Sequence, residues 1–142
     1  MHNTISWILV VIPGLLVTGQ FISVINFPLA QKLGLQEKAD ASDPVKLRAE
    51  LHTAYWDLLT LVWLPLAGIL MLVEHPWWPY LALIGGAVYV DAGGREAAKM
   101  LSMRAEGIRI GTPSEQRLLF GTFVVMGVLG LLAVGCALVA LR

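Results

Sequence analysis

The distribution of basic residues along this chain constrains its fold more than any other feature. Nine of the ten Lys and Arg residues fall in two stretches, 32–48 and 95–117, and each stretch lies between long apolar runs. Under the positive-inside rule, basic stretches beside membrane-spanning helices face the cytoplasm. The pattern therefore predicts cytoplasmic loops at 28–50 and 93–117, with both termini and the turn at 74–79 outside.

The composition agrees with a membrane protein. Apolar residues make up 57% of the chain and charged residues only 14%, whereas an average soluble domain is about 25% charged. The formal net charge of zero offers no general attraction for nucleic acid. We expect a multi-pass protein of the bacterial inner (plasma) membrane, with the lipid bilayer as its first partner and no nucleic acid partner.

Four segments are predicted to cross the bilayer as helices, because a crossing takes about 20 mainly apolar residues. Three apolar runs are long enough alone, and the remaining one must continue past Asp91. The predicted helices are 5–27, 44–74, 77–106 and 113–141, with cytoplasmic connectors at 28–43 and 107–112. The expected fold is all-α: one domain over residues 1–142, an antiparallel bundle of four transmembrane helices, N-out and C-out.

Local signals predict where these helices begin, bend and end. Asp43-Pro44 has the form of an N-cap followed by proline at the first helical position. Thr112 and Glu115 have the spacing of a capping box, and Gly107 supplies a helix stop. Pro65 lies in the middle of the second predicted helix and is expected to interrupt and bend it.

The fourth predicted helix carries small residues on one face. Gly127, Gly130, Ala133 and Ala137 recur at spacings of three, three and four, which lets another helix backbone approach closely. We expect this face to be buried against protein. Three packing partners are possible: the first helix, the second helix or another subunit. The small-residue face also favours a homo-oligomer.

Polar residues of three predicted helices are expected to meet in the cytoplasmic half of the membrane. The members are Gly19, Gln20, Ser23, Asn26, Glu50, Thr53, Asp57, Thr60, Asp91 and Arg95. A carboxylate inside a membrane is a candidate proton or cation site. We therefore predict a polar vestibule open to the cytosol, in which the two carboxylates hold the ion and Arg95 neutralises or gates them.

Two structural alternatives for the same residues stay open. Asp91 and Arg95 are four residues apart, so they could neutralise each other as an ion pair on one helix face. Arg95 could instead bridge to Asp57 across helices. In either case the pair would hold the structure rather than a transported ion.

The histidines and the single cysteine give weak metal signals. His2, Glu74 and His75 could form a shallow outward Zn²⁺ or Cu²⁺ site, but their spacing fits no recognisable motif. A haem held by two histidines would need His52 from two symmetry-related copies. Cys136 lies in an apolar run and has no second cysteine in the chain. No cofactor is predicted.

Enzyme motifs are incomplete in this sequence. It contains no CxxC, HExxH, GxSxG or Walker pattern, so we do not expect an enzyme. The predicted function is a small membrane channel or transporter, linked to a cation or proton. A second hypothesis is a non-catalytic accessory or assembly subunit of a larger membrane complex. A third is a haem- or quinone-associated redox component that uses His52.

Overall fold

All regular structure in the described part of the chain is helical. The computed structural model describes residues 2–38 and 40–142, and the side chain of His2 lies outside that description. The helices are α1 (His2–Ile25), α2 (Phe27–Lys32), α3 (Pro44–Thr60), α4 (Trp63–Leu72), α5 (Trp78–Ala105) and α6 (Pro113–Ala140). The expected all-α class is confirmed.

Within residues 2–38 and 40–142, three helical stretches are long and apolar enough to cross a membrane. They are Asn3–Ile25, Pro44–Leu72 and Pro113–Ala140. Large apolar side chains on their outer faces are exposed rather than packed, as at Leu15 and Val139, and such faces suit a lipid environment. α5 is as long as α6 but carries charged residues in its second half.

A proline divides the second predicted helix into α3 and α4. Only Leu61 and Val62 separate the two helices. Pro65 has no N–H to donate to the carbonyl of Leu61, four residues earlier, so the hydrogen-bond ladder is interrupted there. The interruption predicted from Pro65 is confirmed. The break itself, at Leu61 and Val62, lies about one turn after Asp57.

The predicted helix caps are also present. Asp43 accepts a hydrogen bond from the backbone N–H of Val45 at 2.9 Å and begins α3. Thr112 and Glu115 form the reciprocal capping box of α6. Gly107 has a φ of +78°, which favours glycine, directly after the last turn of α5.

The start of the first connector differs from the sequence expectation. Residues 28–43 were expected to be a connector without a helix, yet α2 occupies the beginning of that segment. The side chain of Asn26 accepts a hydrogen bond from the N–H of Leu29 at 3.0 Å and so starts a new helix. Asn26 therefore caps a helix and does not line an interior vestibule.

The long helices pack antiparallel in chain order, with α5 between α4 and α6. A Cβ at Gly85 would lie 2.7 Å from the backbone nitrogen of Leu64 in α4. On the other side, a Cβ at Gly86 would lie 2.7 Å from the carbonyl oxygen of Gly130 in α6. Glycines on two faces of α5 thus allow close contact with both neighbours.

The small-residue face of α6 packs within the chain. Ala133 and Ala137 are fully buried and Gly130 touches α5. A Cβ on Gly93 of α5 would lie 3.5 Å from the backbone nitrogen of Gly127. The face is buried against protein as expected, but its partner is the third predicted helix. Neither the first nor the second helix, which the sequence analysis considered, takes that place.

The two connectors meet at one end of the bundle, which we name the connector end (residues 33–38, 40–43 and 106–112). Ser42 and Ile110 form an isolated antiparallel bridge. The N–H of Asp43 donates to the carbonyl of Arg109 at 3.0 Å, and Ile110 is 2% exposed. The connectors therefore form one folded layer across this end of the bundle.

Candidate functional site

The half of the bundle next to the connector end has a charged interior. Lys46 is fully buried, and Glu37, Asp57 and Glu96 are each less than a tenth exposed. Removing charges from water costs several kcal/mol per ion unless partners compensate, so a buried charge needs a nearby partner. The arrangement of these partners determines what the interior can bind.

Five charged side chains form one ion cluster, which consists of Glu37, Lys46, Glu50, Glu96 and Lys99. The ammonium of Lys46 lies 2.7 Å from Glu37 Oε2 and 3.6 Å from Glu50 Oε1. The ammonium of Lys99 lies 4.0 Å from the same Glu50 oxygen and pairs with Glu96. Three carboxyl groups therefore share two ammonium groups in the ion cluster.

Helical spacing accounts for most of the ion cluster. Lys46 and Glu50 are one turn apart on α3, and Glu96 and Lys99 are one turn apart on α5. Lys99 also donates to Thr53 Oγ1 at 3.2 Å, which ties α5 to α3. Glu50 and Thr53 were predicted among the polar residues that meet, but their lysine partners and Glu96 were not recognised, although two opposite-charge pairs at helical spacing were the available signal.

The connector closes over the polar residues of α1. Gln36 donates to Ser23 Oγ at 3.1 Å, and Gln31 donates to the carbonyl of Glu37 at 2.7 Å. Ser23 itself donates to the carbonyl of Gly19 and is fully buried. The vestibule expected to be open to the cytosol is thus covered at Ser23, because the connector supplies its own polar partners.

Asp57 forms a second buried polar group with Gln20 and Tyr89, which we name the Asp57 site. Gln20 Nε2 donates to Asp57 Oδ2 at 3.1 Å, joining α1 to α3. Tyr89 of α5 is fully buried and close enough to Asp57 for the two groups to interact electrostatically. Three buried atoms of this site, Gln20 Oε1, Asp57 Oδ1 and the Tyr89 hydroxyl, have no hydrogen-bond partner among the described residues.

The chemistry of these atoms defines what would complement them. A carboxylate oxygen and an amide oxygen only accept hydrogen bonds, while a phenolic hydroxyl can donate or accept. Buried polar atoms in folded proteins nearly always have partners. A proton on Asp57, a bound water or a small cation would each supply the missing donor or positive charge.

Polar groups connect the Asp57 site with the connector end but not with the opposite end. Asp57 lies within electrostatic range of Glu50 and Glu96 and of the basic residues Arg95 and Lys99. In the other direction the core is mainly apolar and includes Leu9, Leu61, Leu64, Ala67 and Met71, with Ser6 as a buried polar residue near its far end. The Asp57 site therefore lies at the boundary between a polar and an apolar half of the bundle.

Asp91 does not join this site, which corrects the sequence expectation that it turns inward. Its side chain is 71% exposed and lies beside the 47% exposed side chain of Arg95, with Arg95 Nε 3.5 Å from Asp91 Oδ2. The reason is the position of α5 between α4 and α6, which leaves a third face outward, and Asp91 lies on that face. Of the open alternatives, the ion pair on one helix is the arrangement present.

Thr60 also differs from its expected position in a vestibule. Its hydroxyl donates to the carbonyl of Trp56 at 3.0 Å, one turn earlier in α3. Threonine commonly makes this bond within its own helix. Thr60 thus has a partner in its own helix and does not contribute to the Asp57 site.

The metal candidates do not assemble. His75 and Glu74 are exposed, and His75 Nδ1 accepts a hydrogen bond from the N–H of Trp77 at 3.3 Å. The side chain of His2 lies outside the described residues. Across 2–38 and 40–142, no group of three or more His, Cys, Asp or Glu side chains is placed to hold a metal ion. His52, the haem candidate, is exposed.

No protein family, curated protein or solved structure matches this chain. The functional argument consequently rests on the Asp57 site, the ion cluster and the outward faces of the helices.

Proposed function

We propose that this chain is a membrane transporter that carries a proton or another small cation through the Asp57 site. In this proposal it crosses a bacterial inner membrane four times, with the connector end in the cytoplasm and both termini outside. The observation that carries the proposal is the set of three buried oxygen atoms without a partner in the described chain. They belong to three different helices: Gln20 is hydrogen-bonded to Asp57, and Tyr89 lies within electrostatic range of it.

The dimensions of α5 support its place as a fourth span. Trp77 and Tyr80 are exposed near the start of α5, and the centroids of their rings are 6.1 Å apart. Tryptophan and tyrosine rings prefer the membrane interface. Twenty residues from Pro79, at about 1.5 Å each, cover about 30 Å of hydrocarbon and reach Lys99. The length of α5 thus matches the thickness of a bilayer, although this stretch carries Asp91, Arg95 and Glu96 and α5 is not among the three helical stretches that are apolar enough by composition.

The one-sided polarity of the interior supports a carrier over an open channel. A water-filled pore needs a polar lining from end to end, whereas the interior beyond the Asp57 site is mainly apolar, with Ser6 as a buried polar residue. An ion bound at Asp57 would leave on that side only after the helices rearrange. The break between α3 and α4 lies one turn from Asp57, and a proline break in a membrane helix is a place where it can bend.

Ion entry into liposomes tests this proposal. Purified protein is reconstituted into liposomes that enclose a pH-sensitive or a sodium-sensitive dye. Valinomycin and a potassium gradient set the membrane potential. We expect entry of one of the two ions with the unchanged chain and its loss with Asp57→Asn, because the neutral amide cannot release a proton or attract a cation. Asp40→Asn removes an exposed carboxylate from the connector and is the matched control.

A milder variant separates loss of the site from loss of the fold. Tyr89→Phe removes only a hydroxyl that has no partner among the described residues, so we expect it to fold and to reduce ion entry. Ion entry that is unchanged in both Asp57→Asn and Tyr89→Phe, or absent from the unchanged chain, would overturn the proposal.

The accessory-subunit hypothesis makes a different prediction. A subunit of a larger complex would co-purify with a larger membrane protein in mild detergent and would show no ion entry alone. Purification of the native protein followed by mass spectrometry distinguishes this from the transporter.

A further inference from the structure

The outward face of α5 carries an ion pair at membrane depth. In the four-span topology Asp91 lies about 18 Å along α5 from Pro79, at 1.5 Å per residue, inside the hydrocarbon layer. Charged side chains at that depth nearly always face protein or a water-filled cavity. The side chains of Asp91 and Arg95 are instead 71% and 47% exposed, so in a bilayer another molecule must cover their exposed parts.

Small residues surround this pair. Ala87, Gly94 and Ala98 are exposed and lie on the same side of α5 as Asp91 and Arg95, three or four residues apart. A Cβ on Gly94 would meet no atom of the described residues within 4 Å. A second helix can therefore come close to the backbone of α5 at the level of the charged pair. We call these five residues the α5 outward face.

We propose that a second copy of this chain covers the α5 outward face, and that Asp91 of each copy pairs with the partner's Arg95. The proposal rests on the four-span topology given above and not on the transport activity. It concerns a surface of the molecule that is separate from the Asp57 site.

Charge complementarity favours a second copy over other occupants. The α5 outward face holds one acid and one base, and Arg95 reaches the level of Asp91, with its Nε 3.5 Å from Asp91 Oδ2, so Arg95 of each copy can pair with the partner's Asp91. A two-fold axis along the membrane normal brings the same face of two parallel helices together. Two acids and two bases then form a neutral cluster away from lipid. An anionic lipid headgroup could neutralise Arg95 but would repel Asp91.

The other small-residue surface in the chain is not available for this contact. Gly130, Ala133 and Ala137 of α6 pack against α5 within one copy. The self-association that the sequence led us to expect at α6 is therefore assigned to α5 instead.

Disulfide cross-linking in membranes tests the position of the contact. In a Cys136→Ala background, single cysteines are introduced on the α5 outward face by Ala87→Cys, Gly94→Cys and Ala98→Cys. Leu59→Cys on α3 and Val128→Cys on α6 are matched controls, because both positions are more than half exposed on other faces. We expect oxidation to give a dimer at the three α5 positions and little at the two controls.

A charge exchange tests the pairing itself, with Gly94→Cys as the reporter. Asp91→Arg gives copies with two bases, and Arg95→Asp gives copies with two acids. Each variant alone should give a yield of cross-linked dimer about tenfold or more below that of Gly94→Cys with the native charges. The reason is that like charges then meet where no water screens them. Co-expression of the two variants should restore the dimer, which a general folding defect would not allow.

Three results would overturn the inference. One is equal cross-linking at the α5 and control positions, another is cross-linking of Gly94→Cys only to a different protein, and the third is failure of co-expression to restore the dimer. Labelling of His75→Cys and Glu106→Cys, both at exposed positions, from the same side of the membrane would overturn the four-span topology and this inference together. Absence of ion entry with a normal dimer would instead overturn the transport proposal alone.

Discussion

Two carboxylates at nearly the same level of the bundle have opposite surroundings. The hydrogen bond from Lys99 to Thr53 and the contact of Gly85 with Leu64 fix the register of α5 against α3 and α4. Asp57 and Asp91 then lie within about one helical turn of each other along the bundle. Asp57 is 5% exposed, whereas the side chain of Asp91 is 71% exposed.

The difference between these two residues shows that the face of a helix, and not its depth, decides what a charged side chain can do. Asp57 is held by an amide and keeps one oxygen without a partner, which suits a bound ion. Asp91 has a cation one turn away on its own helix, which suits a contact between subunits. Four experiments would break or sharpen this comparison.

The largest expected effect comes from removing the buried cation. Lys46→Met leaves Glu37 and Glu50 buried without the ammonium that pairs with both. Breaking a buried pair from one side typically costs about 3–5 kcal/mol, so we expect that loss in the free energy of unfolding in detergent. Arg95→Met breaks the exposed pair and should cost the detergent-solubilised monomer less than about 1 kcal/mol. Similar losses for both variants would show that burial does not separate the two pairs.

A glycine on each side of α5 gives the next contrast. A Cβ at Gly85 would lie 2.7 Å from the backbone of α4, so Gly85→Ala should destabilise the protein by about 1–3 kcal/mol through overpacking. Gly94→Ala meets open space and should stabilise the monomer by up to about 1 kcal/mol, because alanine favours helix. Thermal unfolding in detergent measures both. A loss of stability with Gly94→Ala would contradict an open outward face.

Removing a buried hydroxyl should have a smaller effect. Tyr89→Phe deletes a hydroxyl that lacks a partner among the described residues, and an unsatisfied buried polar group costs about 1 kcal/mol or more. We therefore expect a gain of about 1 kcal/mol in the free energy of unfolding. Tyr80→Phe, at an exposed tyrosine, should change it by less than about 0.5 kcal/mol. A clear loss with Tyr89→Phe would mean that the hydroxyl holds a bound molecule.

The smallest effect on monomer stability is expected at Asp91. Asp91→Asn weakens one exposed ion pair, which is worth about 0–1 kcal/mol, so chemical unfolding of the dilute detergent monomer should scarcely change. Its effect should appear in liposomes as a lower fraction of dimer. Destabilisation of the monomer by several kcal/mol would indicate that Asp91 has a buried role within one copy.

The sequence was sufficient for features that depend on neighbouring residues. The cap at Asp43, the capping box at Thr112 and the interruption at Pro65 were predicted and are present. Each depends on the hydrogen bonds or steric limits of a few adjacent residues, so no knowledge of the tertiary fold is needed. The all-helical class follows in the same way from long apolar runs.

The orientation of polar residues could not be predicted in this way. The faces of α5 are assigned by contacts with two neighbours, and glycines at 85, 86, 93 and 94 look alike in the sequence although only Gly94 is open. For the same reason Asp91 was expected inside, while Tyr89 and Glu96 were not recognised as interior groups. The interior position of Glu37 could not be predicted, because the connector that carries it folds back over the bundle. No spacing between neighbouring residues indicates that contact.

The bridge between the two connectors has a consequence for how the chain is made. The N–H of Asp43 is satisfied by the carbonyl of Arg109, and Ser42 pairs with Ile110, so residues from the second half of the chain complete a turn in the first half. Synthesis proceeds from the N-terminus. Until the ribosome has added Ile110, the loop after α2 must use water as its hydrogen-bond partner, and its final shape is acquired late.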